Sequence, residues 1–257
     1  MAMTLYTMVP PYAAAIPLRS DALEHDAVLR PGAVVVSRLH HDARIKDVVA
    51  RIEPLALRLR TATLVVWADL CPREHLPRLG AVLASLGVQA IAPKPVVEVD
   101  RLRKQLCNPE TLPDAVTQWL RLHDFAPSGT AVRLLAPVVA YGHAHGNFAE
   151  LAAQVFGRSE VTVRRRFAAA GLGSPTRWHQ LFRVFHAAVS LQREPAMAVS
   201  ELAKRHGFYD ASALRRRLVH VFGVNARDLR TMYLGWQWFL FPGVRRMGLT
   251  PGARLRG

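Results

Sequence analysis

Between Ala33 and about Leu106, short β-branched runs alternate with longer stretches of helical spacing, as a parallel α/β layer requires. The runs Ala33–Ser37 and Thr63–Ala68 predict buried strands, and Val88–Ala92 a third, shorter one. Between the first two, Ile45, Val48, Val49, Ile52, Leu55 and Leu59 recur at helical spacing, and a second helix is predicted from about Glu74 to Leu86. A further helical segment, Leu112–Leu122, precedes Phe125–Gly129, whose Pro and Gly read as an interdomain break. Beyond it strand signals vanish, and helix follows helix as far as Gln237, separated by Gly, Ser or Pro. The expectation is two domains: an α/β parallel-sheet domain over 1–125 and an all-α domain over 141–233, joined by a linker at 126–140. Tyr141–Gly146 is read as the flexible end of that linker, and 234–257 as an aromatic and basic tail.

The helical half contains an internal repeat. Phe148–Phe167 lies over Val199–Leu218 without a gap, so that Glu150-Leu-Ala meets Glu201-Leu-Ala and Arg164-Arg-Arg meets Arg215-Arg-Arg. Ser159 falls on Asp210, and both are good N-cap residues, so each copy predicts helix, short turn, helix. On the second helix of the first copy, Val163, Phe167 and Ala170 form one stripe and Val161, Arg164, Arg165 and Ala168 another. In the second copy Leu214, Leu218 and Val221 take the inner stripe, leaving Ser212, Arg215, Arg216 and Val219 outside. Arginines beside small apolar side chains suit bidentate contact to guanine and contact to a thymine methyl in a major groove. A single arginine triplet would read as a solvated face; its repetition at fixed phase argues for a built surface. Ser174-Pro175 starts a helix between the copies that runs to about Gln192, long enough to hold two recognition helices about one DNA turn (~34 Å) apart.

Charge agrees with this. The chain carries 34 Lys and Arg against 19 Asp and Glu, a net charge of +15, which favours a polyanionic partner. Residues 1–140 are nearly balanced, with 16 basic and 13 acidic side chains, whereas residues 141–230 hold 14 and 6. Two cysteines, Cys71 and Cys107, make neither a disulfide framework nor a zinc site by themselves. No apolar run reaches the roughly 20 residues of a membrane span, so a cytoplasmic protein without membrane attachment is expected.

Over roughly 141–233 the residues resemble the AraC/XylS family of bacterial transcription regulators. The resemblance rests on Ser159, Val163 and Phe167, then Gly173-Ser-Pro175 with Trp178 where the family usually has tyrosine. Arg183 and Ala187 follow, then Glu201-Leu-Ala203, Gly207-Phe208, Asp210, Ser212, Leu214, Arg216, Leu218, Gly223 and Arg230. Leu172 stands where glycine is common, Leu214 and Leu218 where phenylalanine is frequent, and Ala226 where proline is usual. By position, the resemblance implies base-reading roles for Val161, Arg164, Arg165, Ser212 and Arg216; Arg215 is added from the repeat alone. It also implies double-stranded DNA as partner, with RNA polymerase and a second copy of the chain as further candidates, and an effector that the sequence does not identify.

The N-terminal half does not read as the β-barrel that many members of that family carry. Leu64–Leu106 instead resembles the last third of a response-regulator receiver domain, leading through Lys94-Pro95 to a final helix. The strand at Ala33–Ser37 ends in Ser37-Arg38 where a working receiver has an acidic pair, so a degenerate, phosphorylation-independent receiver-like fold is expected. Asp69 follows a strand but has no partner carboxylates to bind Mg²⁺, and His40-His-Asp42 and His143-Ala-His145 are incomplete as metal-ligand sets. No phosphate-binding loop, nucleophile elbow or catalytic carboxylate pair stands out, so no catalytic residue, metal or cofactor is expected. The apolar strip from Met232 to Phe241 is expected to pack on its own chain. The leading expectation is a sequence-specific, non-enzymatic regulator; the alternatives are a nonspecific architectural DNA-binding protein and an enzyme domain fused to a DNA-binding module.

Overall fold

A computed structural model describes residues 3–8, 16–18, 32–39, 44–68, 75–86, 88, 90–92, 99–231 and 234–249. Asp69, the His40-His-Asp42 run, Cys71 and Lys94-Pro95 lie outside the described residues. The chain divides into two units, Met1–Gln118 with Met232–Trp238, and Trp119–Thr231 with Phe239–Gly257.

In the first unit five strands form one sheet in the order β2-β1-β3-β4-β5. They are β1 (Met3–Met8), β2 (Ile16–Pro17), β3 (Val34–Leu39), β4 (Thr63–Trp67) and β5 (Ala90–Ala92). Strand β3 runs parallel to β4, with Val34 opposite Thr63, and β4 runs parallel to β5, with Val65 opposite Ala90. Helix α1 (Ile45–Arg58) lies between β3 and β4 in the chain, and α2 (Leu76–Ser85) between β4 and β5, as parallel neighbours require. This half has the predicted α/β form. The other half corrects the parallel-sheet expectation, because β1 pairs antiparallel with β3 from Met3 opposite Leu39 to Met8 opposite Val34, and antiparallel with β2. The sheet is mixed. The sequence Met-Thr-Leu-Tyr-Thr-Met of β1 lacks the β-branched density of β3 and β4, which is why periodicity alone passes over it.

The strands are apolar on both faces because both faces are covered. Val35, Leu39, Leu64 and Val66 meet Val48, Ile52 and Leu55 of α1 and Leu79 and Leu83 of α2 in one cluster. Val34, Val36, Val65 and Trp67 are buried on the opposite face, where the ring of Tyr6 lies 5.8 Å from that of Trp67. Truncating Ile52 or Leu83 to alanine would cost about 2–5 kcal/mol, since each is fully buried. Near the start of β4, Thr63 donates to Gln237 Oε1 at 2.7 Å. Gly235 sits there at φ +78, and a Cβ would meet Thr63 Oγ1 at 1.9 Å, so the approach requires glycine. Helices α3 (Val99–Leu106) and α4 (Leu112–Leu122) follow the sheet, and the division between units falls within α4.

The second unit is helical. Residues 129–141, within and just past the segment read as a linker, form α5 (Gly129–Tyr141); Ser128 caps it by accepting from Ala131 N at 3.1 Å. A 3₁₀ turn, Gly142–Ala144, leads into α6 (Phe148–Gln154), α7 (Glu160–Ala169), α8 (Pro175–Arg193), α9 (Val199–Arg205), α10 (Ala211–Phe222) and α11 (Ala226–Thr231). Helix α12 (Gln237–Arg246) carries much of the late apolar strip, of which Leu234, Trp236, Phe239 and Leu240 are buried. Phe239 packs on Phe222 at 5.0 Å and on Phe185 at 5.8 Å between ring centroids. Among the described residues no helix is long and apolar enough to cross a membrane.

Candidate nucleic-acid interface

The two copies of the repeat become two helix-turn-helix units with the same phase. Helices α6 and α9 begin and end at equivalent positions, and α7 and α10 begin at equivalent positions. Ser159 accepts from Thr162 N at 3.3 Å and Asp210 from Ala213 N at 2.6 Å, so each second helix starts on a side-chain cap. The first copy has an additional capping box, in which Asn147 accepts from Glu150 N at 2.9 Å and Glu150 accepts in return from Gly146 N at 3.0 Å.

Each second helix divides into the two predicted stripes. Val163, Phe167, Leu214, Leu218 and Val221 are buried, and Ala170 is half-buried. All six candidate base-reading residues are exposed: Val161, Arg164 and Arg165 share α7, and Ser212, Arg215 and Arg216 share α10. Val161 and Val219 expose 59% and 53% of their surface, which is unusual for valine and keeps an apolar contact beside the arginines. The arginines differ in their surroundings. Arg164 donates from Nε to Glu160 Oε1 at 2.8 Å and from Nη2 to Thr176 Oγ1 at 3.0 Å, whereas Arg165, Arg215 and Arg216 have no hydrogen bond or ion pair among the described residues.

Helix α8 joins the copies. Pro175 opens it at the position where a missing N–H costs nothing, and 19 residues give it a length of about 28 Å. Trp178 and Phe182 stack within its buried face at 6.0 Å. Arg183, half-buried, donates to Gly146 O at 3.1 Å ahead of the first copy and to the carbonyls of His206 (3.1 Å) and Gly207 in the turn of the second. Its guanidinium also lies over the Phe208 ring, 4.6 Å from the centroid. Burial, and then the charge of Arg217, press its pKa below the usual arginine value. This strut is missing from the sequence reading: Arg183 belongs to the family pattern, but its partners lie 23 to 37 residues away.

Histidines fill the space beside α8 and α9. The His143 ring lies 4.2 Å from His186 and 6.0 Å from His206, so the stretch expected to be flexible packs into the unit. His186 donates to Val139 O at 2.6 Å, and His206 shares a 3.0 Å hydrogen bond with Ser190 Oγ. Burial first, and then neighbouring positive charge, lowers the pKa of His186 to about 3 and of His206 to about 4. His143 and His179 are lowered too, chiefly by burial.

The departures from the family pattern have local reasons. Leu172 is buried and its carbonyl accepts the Trp178 indole N–H at 2.7 Å, while Gly171 (φ +71) and Gly173 (φ +67) on either side supply the left-handed backbone. Ala226 is the first residue of α11, where proline and alanine are both accommodated.

No curated protein and no solved structure matches the chain. Residues 152–232 match the model of a helix-turn-helix domain family of AraC type, which supports an AraC/XylS-like DNA-binding domain in this segment and, with it, a DNA-binding transcription regulator.

Proposed function

We propose that the protein is a sequence-specific transcription regulator whose helices α7 and α10 enter successive major-groove segments of one promoter. The observation that carries the reading is the twofold display, at one phase, of exposed arginines, each set with an exposed valine on the same helix, Val161 near the start of α7 and Val219 late in α10. Arg165 and Arg216 read guanine edges, Arg164 and Arg215 contribute charge and further edges, Ser212 hydrogen-bonds to a base, and Val161 meets a thymine methyl. An α8 of about 28 Å, with Arg183 tying the segment just ahead of the first copy to the turn of the second, suits half-sites about one turn (~34 Å) apart. Residues 1–125 then serve sensing, dimerisation or contact with another protein such as RNA polymerase.

Selection of bound DNA from a random pool would yield the operator, and affinities of Arg165→Ala and Arg216→Ala for operator and random DNA at one salt concentration test the roles. Each substitution is expected to weaken operator binding by about 1–3 kcal/mol and random binding much less. Equal losses on both would reduce these arginines to phosphate neutralisers and favour the architectural alternative.

A further inference from the structure

A cleft of about 630 Å³ opens in the first unit between α2, α3 and α4. That volume lies within the usual 300–1,000 Å³ of small-molecule sites. Leu83, Val88, Leu106 and Leu112 make an apolar floor, and Gly80, which has no side chain, and the small Ala84 keep one wall low. Ser85, Gln105 and Thr111 are polar groups of the lining, and α4 adds Asp114 and Gln118, which, four residues apart, share a face. Gln118 Oε1 is buried and has no hydrogen-bond partner among the described residues, and a buried acceptor of this kind needs a donor. Asp114 is exposed and has no ion pair among the described residues, and an ionised carboxylate only accepts. No lysine, arginine or histidine is among the described residues that line the cleft.

We infer that this cleft is a binding site for a small amphipathic cation, an apolar or fused-ring body carrying N–H donors. The body covers the leucine floor, one N–H satisfies Gln118 Oε1, and the positive charge faces Asp114. The rest of the chain works against such a ligand, because a net charge of +15 repels cations at long range. A preference for a cation over an anion of the same shape therefore reports the local site.

Rhodamine 6G and fluorescein provide that comparison, since both carry a three-ring xanthene, the first cationic with two N–H groups and the second anionic. With the full chain and no DNA, fluorescence anisotropy should show rhodamine 6G saturating one site, at least about tenfold more tightly than fluorescein. Asp114→Asn, which removes only charge at an exposed position, should weaken rhodamine binding by about tenfold, and Gln118→Leu by a smaller factor. Ala84→Trp, on the exposed side of α2, should fill the cleft and abolish it. Absence of saturable rhodamine binding, or fluorescein binding as tightly, overturns the proposal. Unchanged affinity in Asp114→Asn does the same, whether or not the tryptophan variant folds.

Discussion

The two copies of the repeat share a backbone and differ in what surrounds their arginines. In the first, Glu160 opens α7 and holds Arg164; in the second, the equivalent position is Ala211, and Arg215 has no partner among the described residues. In the first, Phe167 packs among Phe148 and Phe156, with ring centroids 6.4 and 6.5 Å away; in the second, Leu218 takes the same place. Where Val155 caps the end of α6, His206, a titratable group, caps the end of α9. Phase therefore fixes where a side chain is displayed, and neighbours decide how free and how charged it is. The copies are not interchangeable.

The largest expected effect comes from the cores. Phe167→Ala should destabilise the protein by about 3–5 kcal/mol and Leu218→Ala by about 2–5, read from urea unfolding of the full chain. Phe167 should be the costlier because it leaves two further rings without their neighbour. Equal losses would show that the aromatic packing of the first copy adds nothing beyond area.

Acid should separate the copies next. The folded pKa of His206, about 4, lies below the usual histidine value near 6.5, so the folded state prefers the neutral ring. The contribution is complete above pH 6.5 and is lost as pH falls from 6.5 towards 4; for His206 it amounts to about 2 kcal/mol by pH 5. His186, at about 3, adds to the same slope, and Arg193, Arg205 and His143 disfavour a charge on His206 while Glu194 favours it. Amide exchange at pH 5 should therefore quicken in α9 before α6, and His206→Gln should flatten the dependence. Parallel loss of protection in both copies, unaltered by that substitution, would contradict it.

The caps come third. Ser159→Ala and Asp210→Ala should each cost about 1 kcal/mol, with Asp210 the greater because its charge also meets the positive end of α10. Thermal unfolding of the two variants gives the order, and a larger loss at Ser159 would reverse it.

How much of this is legible in the sequence follows the range of the interactions. The caps at Ser159 and Asp210, the buried and exposed stripes, and the Glu160–Arg164 spacing are local, and each is written within four residues. Strand β1 is not, because its identity depends on pairing with Val34–Leu39 rather than on its own composition. The Pro-Ser-Gly at 127–129 reads as a break, yet Ser128 starts α5, because the same chemistry that ends one helix can cap the next. Arg183 looks like any half-exposed arginine until Gly146, His206 and Gly207 are brought to it.

The smallest effect tests the contrast most directly, by exchanging the residues that create it. The Glu160–Arg164 pair is exposed, so Glu160→Ala should cost only about 0.3–0.5 kcal/mol of stability. Its consequence for DNA should be easier to detect. Without the carboxylate, Arg164 keeps only a neutral bond to Thr176 and its charge can meet a phosphate, so affinity for random DNA should rise and the salt slope should steepen by about 0.9. Ala211→Glu places a carboxylate four residues before Arg215 and should do the reverse in the second copy, lowering both. Titrating the two variants and their combination against random DNA over a salt series would decide it: opposite shifts that cancel in the double variant are expected. If Glu160→Ala leaves the slope unchanged while operator preference falls, Glu160 is holding Arg164 in place for a base rather than withholding it from the backbone.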